Sequence, residues 1–280
     1  MTTTLRPTGP LQDDADGTRS RHYEVCVNSA PVGTIEIATR PTAGSGTGTV
    51  RTLWIEAPHR RRGRGTVAAL AAEEVLRGWG CDRVMLSVPP SAVAATRLLT
   101  ALGYTETGRV LHKRLAARPP ALPPGSETRP MTAPEFDDWW ERSLGGYAHD
   151  VAAHGLPPAR ARAKAESDRT RLLPQRHATP GVRLDVLLHQ GTTVGHLLLG
   201  SRTLDPTGER SAYVYEVEVA PEHRRRGHGR TLMRHAERLA RETGEERLAL
   251  HVFAGNGPAR SLYTALHYRP LTVHYAKPLL

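Results

Sequence analysis

One short pattern, written twice, constrains this chain more than anything else in it. Arg60-Arg61-Arg62-Gly63-Arg64-Gly65 recurs as Arg224-Arg225-Arg226-Gly227-His228-Gly229. Each copy follows an apolar stretch of strand character and precedes a run with helical spacing. Gly63 and Gly227 lie 164 positions apart. The offset holds without a gap for about fifty residues, which marks two copies of one supersecondary unit.

A strand that ends in a glycine turn and opens a helix exposes several backbone N–H groups. The helix N-terminus adds about half a positive charge. Gly227 and Gly229 let backbone approach a ligand closely, because no Cβ stands in the way. The flanking arginines offer paired charged donors to phosphate oxygens. The pattern therefore favours a pyrophosphate. It lacks the Lys-Ser/Thr of a P-loop, and Thr231 and Leu232 stand where a dinucleotide fingerprint needs its third glycine. A single copy could be a basic helix cap without a ligand; two copies in one context favour binding.

The chain has 280 residues, 39% hydrophobic and 24% charged, enough for two globular domains. No run approaches ~18 consecutive apolar residues, so no membrane span is expected. Met1 to Arg21 has no apolar core of signal-peptide length, and a cytoplasmic protein is expected. Cys26 and Cys81 lie far apart, without metal-ligand spacing. The net charge is +10, which raises the question of a nucleic-acid partner. Arginine supplies nearly all of the positive charge, since Lys113, Lys164 and Lys277 are the only lysines. Aromatics are 5%, too few for stacking platforms. The bias is compositional, and nucleic acid is disfavoured as a partner.

The stretch from Ala117 to Ser126 is rich in proline pairs and reads as a semi-rigid spacer. Four segments are expected: a disordered N-terminus over 1–21, a first domain over 22–116, a linker over 117–128 and a second domain over 129–280. In the second domain, helices are expected over Pro134–Leu144 and Pro158–Leu173. A hairpin of Arg183–His189 and Thr193–Leu199 follows, then a strand over Ala212–Val219. Next come a helix over Gly229–Glu242, a strand over Arg247–Phe253, a short helix over Pro258–Leu266 and a last strand over Leu271–Pro278. The first domain repeats this order from Tyr23 to Leu115 but has no counterpart of the two leading helices. Gly44–Thr49 reads as a loop.

The run Val219 to Arg230 resembles the acyl-CoA signature of the GNAT superfamily of N-acetyltransferases, Gln/Arg-x-x-Gly-x-Gly/Ala. Arg224, Gly227 and Gly229 meet it. Asn256 to Tyr268 resembles a second motif of that family, with His267 in place of a glycine. The resemblance implies an α/β fold: two GNAT (acyl-CoA N-acyltransferase) domains, each a mixed, largely antiparallel sheet flanked by helices. It implies acetyl-CoA as acetyl donor and an amine, on a small molecule or a protein, as acceptor. Backbone of Val217 and Val219 would pair with the pantetheine arm. The turn from Arg224 through Arg225, Arg226, Gly227, His228, Gly229 and Arg230 would hold the pyrophosphate. Asn256 would touch the cofactor arm. No metal is implied.

Acetyl transfer needs a neutral amine and a protonated leaving thiol, and a positioned acid and base typically contribute ~10²–10⁴-fold. The family often uses a tyrosine of the short helix as acid, which maps to Tyr263. That residue could instead be core packing. Glu216 is the favoured base. Glu218 shares its face by the period of two, and His251 or a water are the alternatives. Asp137, Asp138, Glu141 and Asp150 could form an acidic rim, or simply a solvated helix face.

At the same offset, Glu216 corresponds to Thr52, Glu218 to Trp54, His251 to Ser87, Asn256 to Ala92 and Tyr263 to Leu99. Tyr104 and Lys113 match Tyr268 and Lys277. The first half is therefore expected to keep the scaffold and to have lost catalysis. Competing readings are a mycothiol-synthase-like tandem acetyltransferase and a non-catalytic acyl-CoA-binding or regulatory protein. The acceptor's identity, CoA binding by the first half and the oligomeric state stay open.

Overall fold

The computed structural model describes residues 2–42, 45–119, 121–153, 156–204 and 208–279. Its two halves exchange their last strands. The first half runs β1 (Thr3–Pro7), β2 (Gln12–Asp13), β3 (Arg19–Val27), β4 (Ala30–Thr42), β5 (Ser45–Ile55), α1 (Arg64–Gly78), β6 (Arg83–Val88), α2 (Val93–Ala101) and β7 (Thr105–Arg114). The second runs β8 (Ser126–Pro130), α3 (Ala133–Ala153), α4 (Pro158–Leu172), β9 (Arg183–His189), β10 (Thr192–Thr203), β11 (Arg210–Val219), α5 (His228–Glu242), β12 (Arg247–Phe253), α6 (Gly257–Ala265) and β13 (Arg269–Pro278).

The chain forms two compact units that do not follow the expected cut. The first holds Met1–Thr107, Val151–Lys164 and Val273–Leu280; the second holds Gly108–Asp150 and Ala165–Thr272. In the first unit the strands lie in the order β1-β3-β4-β5-β6-β13. There β13, from the end of the chain, pairs antiparallel with β6, Val273 opposite Val88. In the second the order is β7-β12-β11-β10-β9-β8. There β7, from the first half, pairs antiparallel with β12, Leu111 opposite Leu250. Val273, Tyr275 and Leu279 enter the core of Val25, Ile35, Leu76 and Val84. Leu111 and Leu115 enter the core of Leu197, Leu232, Met233 and Leu248. The domains expected over 22–116 and 129–280 are corrected accordingly. At the constant offset the two final strands match Leu111 with Tyr275 and Lys113 with Lys277, and tertiary packing selects the exchanged pairing.

Disorder over 1–21 is also corrected. β1 pairs with β3 from Thr3 opposite Val27 to Pro7 opposite Tyr23. Leu5 packs against the core, and Arg6 reaches Glu24 across the strands at 2.6 Å. Backbone pairing with β3, the Leu5 side chain and cross-strand ion pairs hold a segment whose polar composition reads as unstructured; Met1 lies outside the described residues. Gly44 lies outside them too, but the rest of the expected Gly/Thr loop is strand. A Cβ on Gly46 would stand 2.4 Å from the Gly80 carbonyl, and one on Gly48 would stand 2.5 Å from Leu76. These glycines serve close packing rather than a turn. The linker expected over 117–128 is shorter, because Ser126 already pairs with His189 in β8; Pro120 lies outside the described residues.

Both units share the feature that opens a slot. β11 and β12 pair in parallel only from Ala212/Leu248 to Val214/Leu250 and then part. β5 and β6 pair only at Thr47/Arg83 and Gly48/Val84. Just beyond, the neighbouring hairpins carry bulges at Tyr215 and Arg51, which re-aim the following residues. Among the described residues no helix is long and apolar enough to cross a membrane.

Candidate active site

The phosphate-type turn follows β11. A single 3₁₀ turn, Pro221–His223, leads to Arg224 in extended conformation and Arg225 at φ 62°. Gly227 caps α5 at φ 87°. A Cβ there would meet nothing within 4 Å, so glycine is present for its left-handed backbone. Gly229 has another reason: its Cβ would stand 3.2 Å from Leu262 of α6. That glycine lets α6 pack on the turn, rather than freeing backbone for a ligand. The first N–H groups of α5, at His228, Gly229 and Arg230, have no carbonyl one turn back and point out of the helix end. Arg225, Arg226 and Arg230 are exposed around it. Arg224 departs from the expected phosphate contact, since its Nε donates to the Val219 carbonyl at 3.0 Å and ties the turn to the strand. His228 is buried; burial, then the charges of His189, His223 and Arg226, push its imidazole pKa down.

Val217 and Val219 pair with Leu197 and Gly195 on one side and border the slot on the other. Asn256 caps α6, its Oδ1 accepting from the Ala259 N–H at 3.1 Å. Tyr263 is buried on α6, its ring set T-shaped against Tyr268 with centroids 5.9 Å apart. Burial pushes its phenol up to about 12, so it stays protonated at neutral pH. His267 adopts φ 64° at the end of α6, where the glycine of the family motif would be relaxed. His251 lies on β12, edge-on to Phe253 with centroids 4.9 Å apart, and over Gly108 of β7.

Three ionisable side chains meet on one face of β10 and β11. His196 stands opposite Glu218, and Leu198 opposite Glu216, so the period of two places His196, Glu216 and Glu218 together. His196 Nε2 lies 2.8 Å from Glu216 Oε1 and 3.5 Å from Glu218 Oε2. Helices α3 and α4 cover Glu216. Trp139 Nε1 donates to Oε1 at 2.9 Å, Arg169 to Oε2 at 2.7 Å, and the Ser143 hydroxyl also donates to Oε2. Arg169 stacks over the Trp139 ring, 4.7 Å from its centroid. Burial alone would raise the carboxyl's pKa. His196, Arg169 and Ser143 outweigh it and hold Glu216 at about 2.

A carboxylate so acidic, with both oxygens doubly engaged, is a poor proton acceptor. This departs from the expectation that Glu216 takes the amine proton. Glu218, by contrast, has 44% of its side chain exposed. The oxygens and nitrogen of the trio lie within 4.8 Å of one another, close enough for a metal. The Arg169 guanidinium already supplies the positive charge there. His196, Trp139, Ser143 and Arg169 were not singled out in the sequence. The alternation of Val194, His196 and Leu198 in a hairpin strand was the legible hint for His196. Arg169 sits in a helix crowded with arginines, where nothing local marks it. In the acidic rim, Asp137 pairs with Arg176 at 2.6 Å.

The first unit repeats the turn without these groups. Arg61 and Gly63 have φ of 56° and 74°, and Arg60 Nε donates to the Ile55 carbonyl. At the positions that match Glu216, Glu218, Asn256 and Tyr263 it has Thr52, Trp54, Ala92 and a buried Leu99. Ser87 shares a hydrogen bond with His274 at 2.9 Å.

Comparison with known proteins shows the family of the chain. Over 152 residues the chain is 28% identical to the uncharacterized N-acetyltransferase YycN of Bacillus subtilis, covering 54% of this chain and 96% of that protein. It is 46% identical over 55 residues to streptothricin acetyltransferase of Streptomyces lavendulae, covering 20% of this chain and 29% of that enzyme. Its fold is similar to a crystal structure of a GCN5-related N-acetyltransferase from Sphaerobacter thermophilus, with TM-score 0.59, 18% identity, and coverage of 92% of this chain and 80% of that one. The acetyltransferase (GNAT) family profile matches twice, over residues 3–104 and 136–268, and the chain belongs to that family.

Proposed function

We propose that this protein transfers an acetyl group from acetyl-CoA to a primary amine, and that the chemistry takes place in the second unit. The observation that carries this reading is the difference between the two copies of the turn. Only the second copy stands in a unit that also holds Tyr263, Glu216 and Glu218, beside strands β11 and β12 whose pairing ends at Val214/Leu250. The first unit keeps the turn and has apolar or neutral residues at those positions.

The fit to the donor rests on the helix-end amides, the three exposed arginines and the parted strands, which suit a pyrophosphate on an extended thioester arm. The amine nitrogen attacks the thioester carbonyl; the C–N bond forms and the C–S bond breaks. Tyr263 gives its phenolic proton to the leaving sulfur, and the proton that the nitrogen sheds as the amide forms restores the phenol. Its burial keeps it neutral beforehand and available as an acid. A primary amine arrives largely as ammonium at pH 7, so a proton must leave it first, and the exposed Glu218 carboxylate is the group at the mouth of the cluster able to take it.

The test is release of CoA thiol from acetyl-CoA in the presence of spermidine, glucosamine or a lysine peptide. Turnover that depends on amine and falls ~10²-fold in Tyr263→Phe supports the assignment. Absence of transfer to every amine, together with failure to bind acetyl-CoA, overturns it.

A further inference from the structure

We propose that the glycine turn of the second unit takes up a proton when a pyrophosphate ligand binds, that His228 is the residue that holds it, and that affinity for the ligand therefore rises as pH falls. The inference rests on the acetyl-CoA reading above and deepens it, because it concerns regulation of that same turn. It starts from what packs around the first residue of α5. His228 is 5% exposed. Its ring lies 5.0 Å from that of His189 on β9 and 6.4 Å from that of His223 in the 3₁₀ turn, centroid to centroid. Three imidazoles from three elements thus meet where the helix-end N–H groups face out. Packing alone does not account for them. Among the described residues the buried Nδ1 of His189 has no hydrogen-bond partner, a cost that apolar side chains would avoid.

The repeat supplies a comparison. At the constant offset His223 matches His59, and His228 matches Arg64. Arg64 is buried, and its guanidinium contacts His59 Nδ1. The first copy therefore holds a permanent cation at this position. The second holds a group that changes charge near neutral pH, and its neighbours decide which form it takes. The groups that bear on His228 are His189 from β9, His223 from the 3₁₀ turn and Arg226 from the turn itself. Glu222 and Arg225 of the turn and Arg230 of α5 are exposed. The other elements packed at this end of α5 meet it through apolar side chains, Leu262 of α6 beside Gly229 and Leu232 of α5 beside Gly195 of β10. Burial comes first, and the charges of His189, His223 and Arg226 add to it; all push the imidazole below its ordinary range. In the free protein His228 is neutral at pH 7.

An anion at the helix end reverses that balance. A pyrophosphate brings negative charge close to an imidazole hidden from water, which favours the imidazolium. The pKa of His228 is then higher with ligand than without. One proton enters from solvent, binds an imidazole nitrogen and leaves again with the ligand; no bond in the ligand is made or broken. Between the two pKa values the free protein is unprotonated and the complex protonated, so binding consumes a proton and acid favours the complex. Below the lower value both forms are protonated and the dependence ends. By reciprocity, ligand and proton strengthen each other's binding by the same factor. Arg64 is charged throughout, so the first copy has no such proton to gain.

The experiment uses the full chain with dephospho-CoA as the probe, because its pyrophosphate keeps one charge between about pH 5.5 and about pH 7.5 while a terminal phosphate would not. Calorimetric titrations in two buffers of different ionisation heat should show proton uptake on binding, and Kd should be about tenfold tighter at the acid end. His228→Asn should lose both effects. His228→Arg, which copies the first unit, should bind without proton uptake. Wild-type binding without uptake, or uptake that persists in these variants, overturns the proposal. So does failure to bind dephospho-CoA at any of these pH values. Proton uptake in a protein that acetylates no amine overturns only the transfer reading. A second readout needs no variant to fold. In histidine-labelled wild-type protein, one imidazole should titrate below the ordinary histidine range and shift upward when dephospho-CoA is added. The absence of any such imidazole overturns the proposal.

Discussion

Lys113 Nζ lies 2.6 Å from Glu237 Oε1, although the two residues come from different halves of the repeat. The partner contact is its image: Lys277 Nζ lies 2.7 Å from Glu73 Oε2. Each lysine stands over a tyrosine ring, Tyr268 and Tyr104, at 5.5 Å from the centroid. The exchanged strands thus carry the counter-charges of two buried helix carboxylates, Glu237 on α5 and Glu73 on α1.

Removing Lys113 should therefore destabilise the second unit. Lys113→Met leaves Glu237, only 5% exposed, without its cation, and breaking such a pair costs about 3–5 kcal/mol. Lys113→Met combined with Glu237→Gln should recover most of that loss. Denaturant unfolding of the singles and the double checks it, and full additivity would argue that the pair is not coupled.

Neither half should fold alone as it does in the whole chain. A fragment of residues 121–280 lacks β7, which lines β12 and places Leu111 and Leu115 in the core. We expect it to be partly unfolded or to associate with itself, and to regain native melting when mixed with residues 1–119. A fragment that is monomeric and melts like the full chain would count against this.

Acid should weaken the protein through Glu216. Its pKa is 4.5 in the reference state and about 2 when folded, so the unfolded chain binds protons more tightly. The stabilisation is complete above about 4.5 and lost as pH falls through about 2. Glu135, held at about 2 chiefly by Arg129, acts in the same window. Glu216→Gln should flatten the fall in melting temperature between those pH values; an unchanged acid limb would show that Glu216 is not held as described.

Gly227→Ala should weaken acetyl-CoA binding and cost about 1–2 kcal/mol, because a Cβ at φ 87° is strained. Gly63→Ala, at φ 74°, should cost about as much stability but leave turnover unchanged. Calorimetry and turnover assays on both separate the two copies. Equal losses of turnover would contradict the assignment of chemistry to the second unit.

Much of the fold was legible because its signals are local. The period of two marked β9, β10 and β11, and the helical spacing of Leu232, Met233, Ala236 and Leu239 marked α5. The constant offset showed that Thr52, Trp54 and Leu99 replace Glu216, Glu218 and Tyr263. A short edge strand such as β1 was not legible, since backbone pairing with β3 and the Leu5 side chain leave little compositional mark.

By itself, then, the sequence determined a duplicated strand–turn–helix, the glycine that its left-handed cap demands, and the common face of Glu216 and Glu218. Only the tertiary structure decided which final strand closes which sheet, because that choice rests on pairing between residues far apart in the chain. It also decided the working state of Glu216. Alternation places that carboxylate on a face, but its acidity depends on His196, Trp139, Ser143 and Arg169, which only the packing of β10, α3 and α4 brings to it.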